Sequence, residues 1–208
     1  SAGWERYYDH IETLEVMKYA NYMNVMTYDL AGGGSPYTAH HTNLGALTID
    51  DLKDTPLYEI INNSKWKRNP RSAESIVDFC KNLGVKPEQI VIGGAFYGRG
   101  WKGVGPENNG LYQKNKGSWI GWAQYANIRD KYENKGGFVR YWDPKAKAPY
   151  LYNATDSLFI SYDDPKSVKL KTKFVKENGL GGIMFWQLTN DTQQNGLLDA
   201  IYEEAIKN

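Results

Sequence analysis

Three short apolar runs in this chain end in side chains that can do chemistry. Residues 23–29 end in a phenol and a carboxylate, Tyr28 and Asp29, ahead of Gly32-Gly33-Gly34. Residues 90–98 lead into Phe96-Tyr97-Gly98-Arg99-Gly100-Trp101. Residues 181–188 carry Trp186-Gln187 near their end. In α/β folds, function collects at the C-terminal ends of strands. If the three runs are strands of such a fold, a carboxylate, two phenols, a guanidinium and two indoles share one face. That set suits a carbohydrate, whose apolar ring faces stack on Trp and whose hydroxyls bond to carboxylate and guanidinium groups. Phosphate is disfavoured, because Asp29 would repel it and no phosphate-cradling glycine loop of the P-loop type is present.

The elements that must position these groups are legible in outline. None of the three runs alternates cleanly between apolar and polar, which fits strands buried on both faces of a parallel sheet. Between and after them lie helical patterns. Residues 72–83 place Ile76, Phe79, Cys80 and Leu83 on one face, with Ser72 as N-cap and Gly84 as stop. Asp163-Asp164-Pro165 is helix-start chemistry, and the pattern runs through Leu170, Phe174 and Val175 to Gly179. A third helix carries Leu197, Leu198, Ile201, Tyr202 and Ala205 along one stripe. Strands alternating with helices predict an α/β fold with a parallel sheet.

One long aromatic segment breaks the rhythm. It holds Trp119, Trp122, Tyr125, Tyr132, Phe138, Tyr141, Trp142, Tyr150, Tyr152 and Phe159, with turn signals at Gly136-Gly137 and Asp143-Pro144. A connection of that length is not expected to be bare loop, so it reads as a small α+β insertion with its own core. The chain has 208 residues, whereas a complete (β/α)8 barrel takes about 250 before insertions. With only three candidate strands, the chain reads either as another α/β arrangement or as part of a barrel.

Composition removes several function classes. Lysine plus arginine number 25 against 24 acidic residues, a net charge of +1, so no basic excess points to nucleic acid or an anionic membrane. No apolar run is long enough to span a bilayer. The single cysteine, Cys80, allows no internal disulfide and no cysteine-based metal site; neither a metal nor a cofactor is expected. The amino-terminal residues Ser1-Ala2-Gly3-Trp4-Glu5-Arg6 lack the apolar stretch of a signal peptide.

Six segments resemble the family 18 glycoside hydrolases, the chitinase family. Met26-Thr27-Tyr28-Asp29 looks like their sixth-strand MxYD motif, and Phe96-Tyr97-Gly98-Arg99-Gly100-Trp101 like their seventh-strand motif. Gly181-Gly182-Ile183-Met184-Phe185-Trp186 is similar to their eighth-strand GGxMxW. Ala148-Pro149-Tyr150-Leu151-Tyr152 and Phe159-Ile160-Ser161-Tyr162-Asp163 resemble the chitinase insertion domain and its exit, and His40-His41 the loop after the sixth strand. The resemblance implies a partial TIM (β/α)8 barrel, strands six to eight, with an α+β insertion. Residues 1–102 would hold strands six and seven, 103–161 the insertion, and 162–208 strand eight with its flanking helices.

The departures are as specific as the matches. The family's catalytic signature DxxDxDxE is absent from these residues, and with it the general-acid Glu; the third-strand SxGG signature is absent too. The mechanism the resemblance implies is substrate-assisted retention, in which the substrate's own acetamido oxygen attacks the anomeric carbon. Tyr28 would orient that oxygen, and Asp29 would support the developing positive charge. Met26 and Met184 would flank the acetyl group, Trp186 would floor the sugar, and Tyr97, Arg99 and Trp101 would bind substrate beside it. The expected partner is chitin or a chito-oligosaccharide, and the expected setting is secreted or extracytoplasmic. The chain alone is expected to be inactive, and either to accompany the rest of the barrel or to self-associate through its open sheet.

Plainer readings stand beside these. Tyr28 and Asp29 also fit a buried pair at a strand end, and Arg99 an ion pair with Asp29 or Asp143. Trp101 and the insertion aromatics also fit simple packing, His40 and His41 loop packing, and Cys80 helix core. Two other functions share the motifs: a chitinase-like lectin that binds chito-oligosaccharides, and a hydrolase of peptidoglycan or N-glycan cores.

Overall fold

The computed structural model describes residues 8, 10–64 and 68–207. The amino-terminal stretch 1–6, read above for a signal peptide, lies outside the described residues. The strands form two sheets. A three-stranded parallel sheet has the order β1 (Met23–Val25), β2 (Ile90–Ala95), β8 (Gly182–Trp186). A five-stranded antiparallel sheet has the order β4 (Ser118–Gln124), β3 (Tyr97–Lys102), β7 (Leu158–Ser161), β6 (Ala148–Asn153), β5 (Val139–Asp143).

The main helices are α1 (Thr13–Met17), α2 (Pro56–Asn63), α3 (Ala73–Asn82), α4 (Pro165–Glu177) and α5 (Leu197–Ala205). Starts and stops have local causes. Ser72 caps α3 by accepting from the Ser75 amide at 3.0 Å, and Gly84 at φ +95° ends it where a side chain would be strained. Asp164 caps α4 in the same way from the Ser167 amide at 2.8 Å, with Pro165 in the first turn. The Asp191 carboxylate accepts from the Leu197 and Leu198 amides at 2.9 and 2.8 Å and so caps α5 from outside. These three helices coincide with the sequence expectation; α1 and α2 are additions to it.

Period-two alternation sorts the parallel strands into two faces. Ile90 and Ile92 join Val25, Ile76, Val77, Cys80 and Val175 in one buried cluster. On the same face Ile183, register partner of Ile92, packs against that cluster and, with Phe185, against a second one holding Val168 of α4 and Leu197, Ala200 and Ile201 of α5. Phe185 also stacks on Phe96, with centroids 4.6 Å apart and ring planes nearly parallel. Met26, Tyr28, Ala95, Tyr97 and Met184 form a small cluster of their own at the strand ends. Cys80 is buried among the helix contacts, as expected, and burial pushes its thiol up to about 11.

The segment 90–102 corrects one expectation. It reads as one strand leading to a functional end, but it is two strands of different sheets. The Phe96 amide donates to the Trp186 carbonyl at 2.8 Å, closing the parallel ladder, while the Phe96 carbonyl accepts from the Tyr125 amide at 3.1 Å. From Tyr97 onward the chain pairs antiparallel with β4 and β7. The antiparallel sheet therefore begins at Tyr97, within the stretch that sequence assigned to the barrel.

A buried polar hub ties the two sheets together. Lys171 of α4 lies 2.6 Å from Asp163, both fully buried. The same Asp163 oxygen accepts from the Thr42 hydroxyl at 2.8 Å and from the Ala95 amide at 2.9 Å. Ser167 donates to the other oxygen at 2.6 Å. One carboxylate thus fixes the end of β2, the loop after β1 and the start of α4. Among the described residues, no helix is long and apolar enough to cross a membrane.

Candidate active site

β1 is short, and the way it ends explains how Tyr28 and Asp29 are presented. After the Val25–Ile92 pair the Thr27 hydroxyl takes over the ladder, donating to the Gly93 carbonyl at 2.8 Å and accepting from the Gly93 amide at 2.9 Å. The backbone is then free to turn. Asp29 adopts φ +56°, a left-handed conformation that costs a non-glycine residue energy and here aims the carboxylate across the strand ends. Tyr28 lies over β2: a Cβ on Gly93 would stand 2.6 Å from its Cε1. Only glycine leaves room for that ring.

The carboxylate meets a guanidinium from the other sheet. Asp29 Oδ1 accepts from Arg99 Nε at 2.9 Å and lies 2.8 Å from Nη2. Arg99 Nη1 donates in turn to the Gly121 carbonyl of β4. Tyr97 sits at the centre. Its ring is 6.0 Å from Tyr28 in an edge-on arrangement, 5.2 Å from His41 and 6.0 Å from Trp122, and the Arg99 guanidinium lies over it at 5.4 Å. Burial first, and the charge of Asp29 next, raise both Tyr28 and Tyr97 above the ordinary phenol range. Both therefore remain hydroxyl donors across the neutral range.

Trp186 closes the rim from the third strand. It pairs with Ala95 in register, its peptide to Gln187 is cis, and its side chain follows Met184 onto the Tyr28 face by alternation. It is 54% exposed, a large indole open to solvent beside buried tyrosines. Phenols, a carboxylate, a guanidinium and an exposed indole on one rim can hold a neutral, hydroxyl-rich ring. A family model described as Glycosyl hydrolases family 18 matches residues 2–191.

The chain belongs to glycosyl hydrolase family 18.

Chitinase A1 of Niallia circulans is 36% identical over 203 residues, 92% of this chain and 27% of that protein. Chitinase B of Serratia marcescens is 30% identical, over 94% of this chain and 45% of its own length. The structure of a family 18 N-acetylglucosaminidase from Paenibacillus barengoltzii superposes with a TM-score of 0.83 at 37% identity, covering 98% of this chain and 54% of that one. The fold is thus α/β of the TIM-barrel type. The chain spans 27 to 45% of the length of these two curated relatives.

In this family 18 chain, the structure brings Met26, Tyr28, Asp29, Tyr97, Arg99, Met184 and Trp186 to one rim, and leaves one expected residue out. Trp101 is 0% exposed. It packs among Leu47, Leu52, Val104, Tyr150 and Phe159, with its ring 6.0 Å from Phe159. Alternation puts Trp101 on the strand face of Arg99, but the loop after β1 folds over that end and seals it. Its reading as a substrate contact is therefore corrected to core packing. Arg99, by contrast, pairs with Asp29, as its plainer reading expects, and stands at the rim.

Of the two histidines that read from sequence as loop packing, His41 supports the site from below, while His40 packs away from the rim. His41 is fully buried; its Nε2 donates to the Tyr97 carbonyl at 3.2 Å, and its Nδ1 faces Asp29 Oδ1 at 3.8 Å. Burial, opposed by Asp29 and Asp163, pulls its pKa down to about 4, so the ring is neutral at pH 7. Its backbone amide donates to the Ser161 hydroxyl at 2.9 Å, which docks the loop on β7. His40 Nε2 lies 3.1 Å from Asp143 Oδ2, which also accepts from the Tyr112 hydroxyl at 3.1 Å. Burial by itself would raise the Asp143 carboxyl; the bonds from His40, the Ala146 amide and Tyr112 together outweigh it and hold the group at about 2. The signal available in the sequence is two adjacent histidines following a glycine-rich loop. A cavity of about 480 Å³ beneath that loop, lined by Leu30, His40, Leu57, Ile61 and Tyr112, touches none of the rim residues.

Proposed function

We propose that this chain is the part of a chitin-cleaving family 18 enzyme that shapes the cleavage site, while the proton donor comes from outside these 208 residues. The observation that carries the reading is the Asp29–Arg99 pair, with Tyr28, Tyr97 and Trp186 around it at the ends of the parallel strands. Relatives named chitinases at 36 and 30% identity support the substrate class. A family 18 chitinase from Cycas revoluta has been solved in complex with (GlcNAc)3; at 23% identity it speaks for the fold alone.

In this reading β1, β2 and β8 are strands six, seven and eight of a (β/α)8 barrel, and the antiparallel sheet is the insertion domain. The domain limits expected from sequence, 1–102, 103–161 and 162–208, then move at their first boundary, because the insertion sheet recruits Tyr97–Lys102. A carboxylic acid on an earlier strand protonates the glycosidic oxygen. The acetamido oxygen of the sugar on Trp186 attacks the anomeric carbon, the leaving sugar departs, and water opens the resulting oxazolinium. Tyr28 donates to the acetamido oxygen and orients it. The Asp29 charge, held in place by Arg99, favours the positive charge that grows on the ring. Met26 and Met184 flank the acetyl methyl group, and Tyr97 and Arg99 contact the leaving-group side. The expected substrate is a β-1,4-linked N-acetylglucosamine polymer, and the expected setting is extracytoplasmic.

The test is turnover of a chromogenic chitobiose glycoside by the 208-residue chain and by the natural polypeptide that carries it. The proposal expects turnover from the longer polypeptide, abolished by Asp29→Asn, and none from the 208 residues alone. Hydrolysis by the 208-residue chain that is lost on changing a residue within it would contradict the external acid.

A further inference from the structure

Trp122 has no part in the mechanism just given, yet its setting is specific. β3 and β4 do not pair evenly. Gly98 pairs with Ala123 and Gly100 with Ile120, so two steps along β3 are matched by three along β4. The extra residue is a β-bulge at Gly121-Trp122, directly across from Arg99. Bulges re-aim a side chain, and they recur beside active sites. Here the bulge turns Trp122 toward the rim, with its ring 6.0 Å from Tyr97 at an angle of 37°. Arg99 pins the bulge by donating to the Gly121 carbonyl while it holds Asp29. The position of Trp122 is thereby coupled to the site carboxylate through one side chain.

A packing role does not account for this indole. Its neighbours on β4 do the packing: Trp119 stacks on Phe138 at 5.8 Å and meets Tyr132 edge-on, and Ala123 is buried in the same cluster. Trp122 remains 41% exposed, with one face against Tyr97 and the rest open. A single exposed apolar residue is ordinary. An exposed indole fixed by a bulge, beside a phenol and a guanidinium, is not. Trp186, the other exposed indole at these strand ends, is joined through its backbone to the residue before Tyr97, its carbonyl accepting from the Phe96 amide at 2.8 Å.

We propose that Trp122 is a second sugar-stacking platform, forming a subsite for the N-acetylglucosamine unit that follows the cleavage point on the Tyr97 side. The inference rests on the functional reading above and adds to it a preference for substrates that extend past Tyr97. Trp122 acts by stacking on the sugar's apolar face, with the indole N–H free to bond a hydroxyl.

The experiment is calorimetric titration of the natural polypeptide that carries these residues, with chito-oligosaccharides of increasing length. The variants are Trp122→Ala, Trp122→Phe and Trp186→Ala, each first compared with wild type for thermal midpoint. Loss of one stacking contact should weaken binding of the longer oligosaccharides about 3- to 10-fold in Trp122→Ala. Chitobiose binding should be unchanged, and Trp122→Phe should recover most of the loss. Equal affinities for Trp122→Ala and wild type at every length, with binding lost in Trp186→Ala, would overturn this inference and leave the functional reading intact. Failure of the wild type to bind any chito-oligosaccharide would overturn both.

Discussion

Arg99 and Asp29 lie 70 residues apart in sequence and 2.8 Å apart in space, one on the antiparallel sheet and the other just past the parallel one. The pair is partly solvated, so its contribution to stability is small, under about 1 kcal/mol. Its contribution to geometry is larger, because the same guanidinium also reaches Gly121. Replacing Arg99 by Met is expected to move the thermal midpoint little. It should lower kcat/KM of the natural polypeptide on chito-oligosaccharides by about 10²-fold, the scale of a lost positioning contact. A variant that melts early and loses activity only in proportion to its unfolded fraction would show the pair to be structural.

Gly93 and Gly94 make a matched control. A Cβ at Gly93 would meet the Tyr28 ring at 2.6 Å, whereas one at Gly94 has nothing nearer than the Met184 carbonyl at 3.7 Å. Gly93→Ala should therefore cost about 1–3 kcal/mol in urea denaturation and displace Tyr28, with a change in the near-ultraviolet circular dichroism. Gly94→Ala should be close to neutral by both measures. Equal effects at the two positions would mean that Tyr28 is not held against β2.

The buried His41 gives the fold a pH dependence of predictable sign. Its pKa falls from 6.5 in the unfolded chain to about 4 in the fold. Between these values the unfolded state binds the extra proton, so stability declines as pH falls from about 6.5 to about 4 and levels off below. The loss is at most about 3 kcal/mol. Asp29 and Asp163 face the ring and favour its protonation; Arg99 and Lys171 oppose it. Asp143, held at about 2 in the fold, titrates in a lower window and loses its contribution only as pH falls below about 4. His41→Gln keeps a donor for the Tyr97 carbonyl and removes the titration. Denaturant midpoints from pH 7 down to about 4.5 should fall for wild type and flatten in the variant. Parallel slopes would assign the pH dependence to other groups.

Lys171 supplies the sharpest stability prediction. It is fully buried against Asp163, and that carboxylate in turn holds the Ala95 amide and the Thr42 hydroxyl. Lys171→Met removes one partner and strands the carboxylate, at a cost of about 3–5 kcal/mol in equilibrium unfolding. A loss below about 1 kcal/mol would mean that Asp163 is adequately neutralised by its neutral donors.

The legible parts of this molecule are those whose causes are local. Ser72 with Gly84, and Asp164 with Pro165, mark their helices by chemistry within one turn. The rim residues are legible because strand ends carry them in recognisable runs. The sheet change at Phe96 is not, because Ile90–Ala95 and Tyr97–Lys102 are both largely buried and no polar residue or proline separates them. Trp101 misleads for a related reason. Its own strand presents it toward the site face, and what buries it is Leu47 and Leu52, from a loop whose landing place no nearby residue encodes. His41 and Trp122 depend on long-range contacts, with Tyr97 and Ser161 for the first and an uneven strand register for the second.

The parallel sheet leads to one further expectation. Among the described residues β1 and β8 each pair only with β2, so both leave ladder groups on their outer edges. Large apolar side chains lie exposed near them, with Tyr22 before β1 and Trp186 and Leu188 at and beyond the end of β8. Open edges bordered by apolar surface favour further strand pairing. In sedimentation velocity the 208-residue chain should therefore associate with rising concentration, and association should be suppressed in the natural polypeptide if that supplies the neighbouring strands. A chain that sediments as a single monomeric species across the range would show that these edges need no partner, and the partial-barrel proposal would lose its main physical consequence.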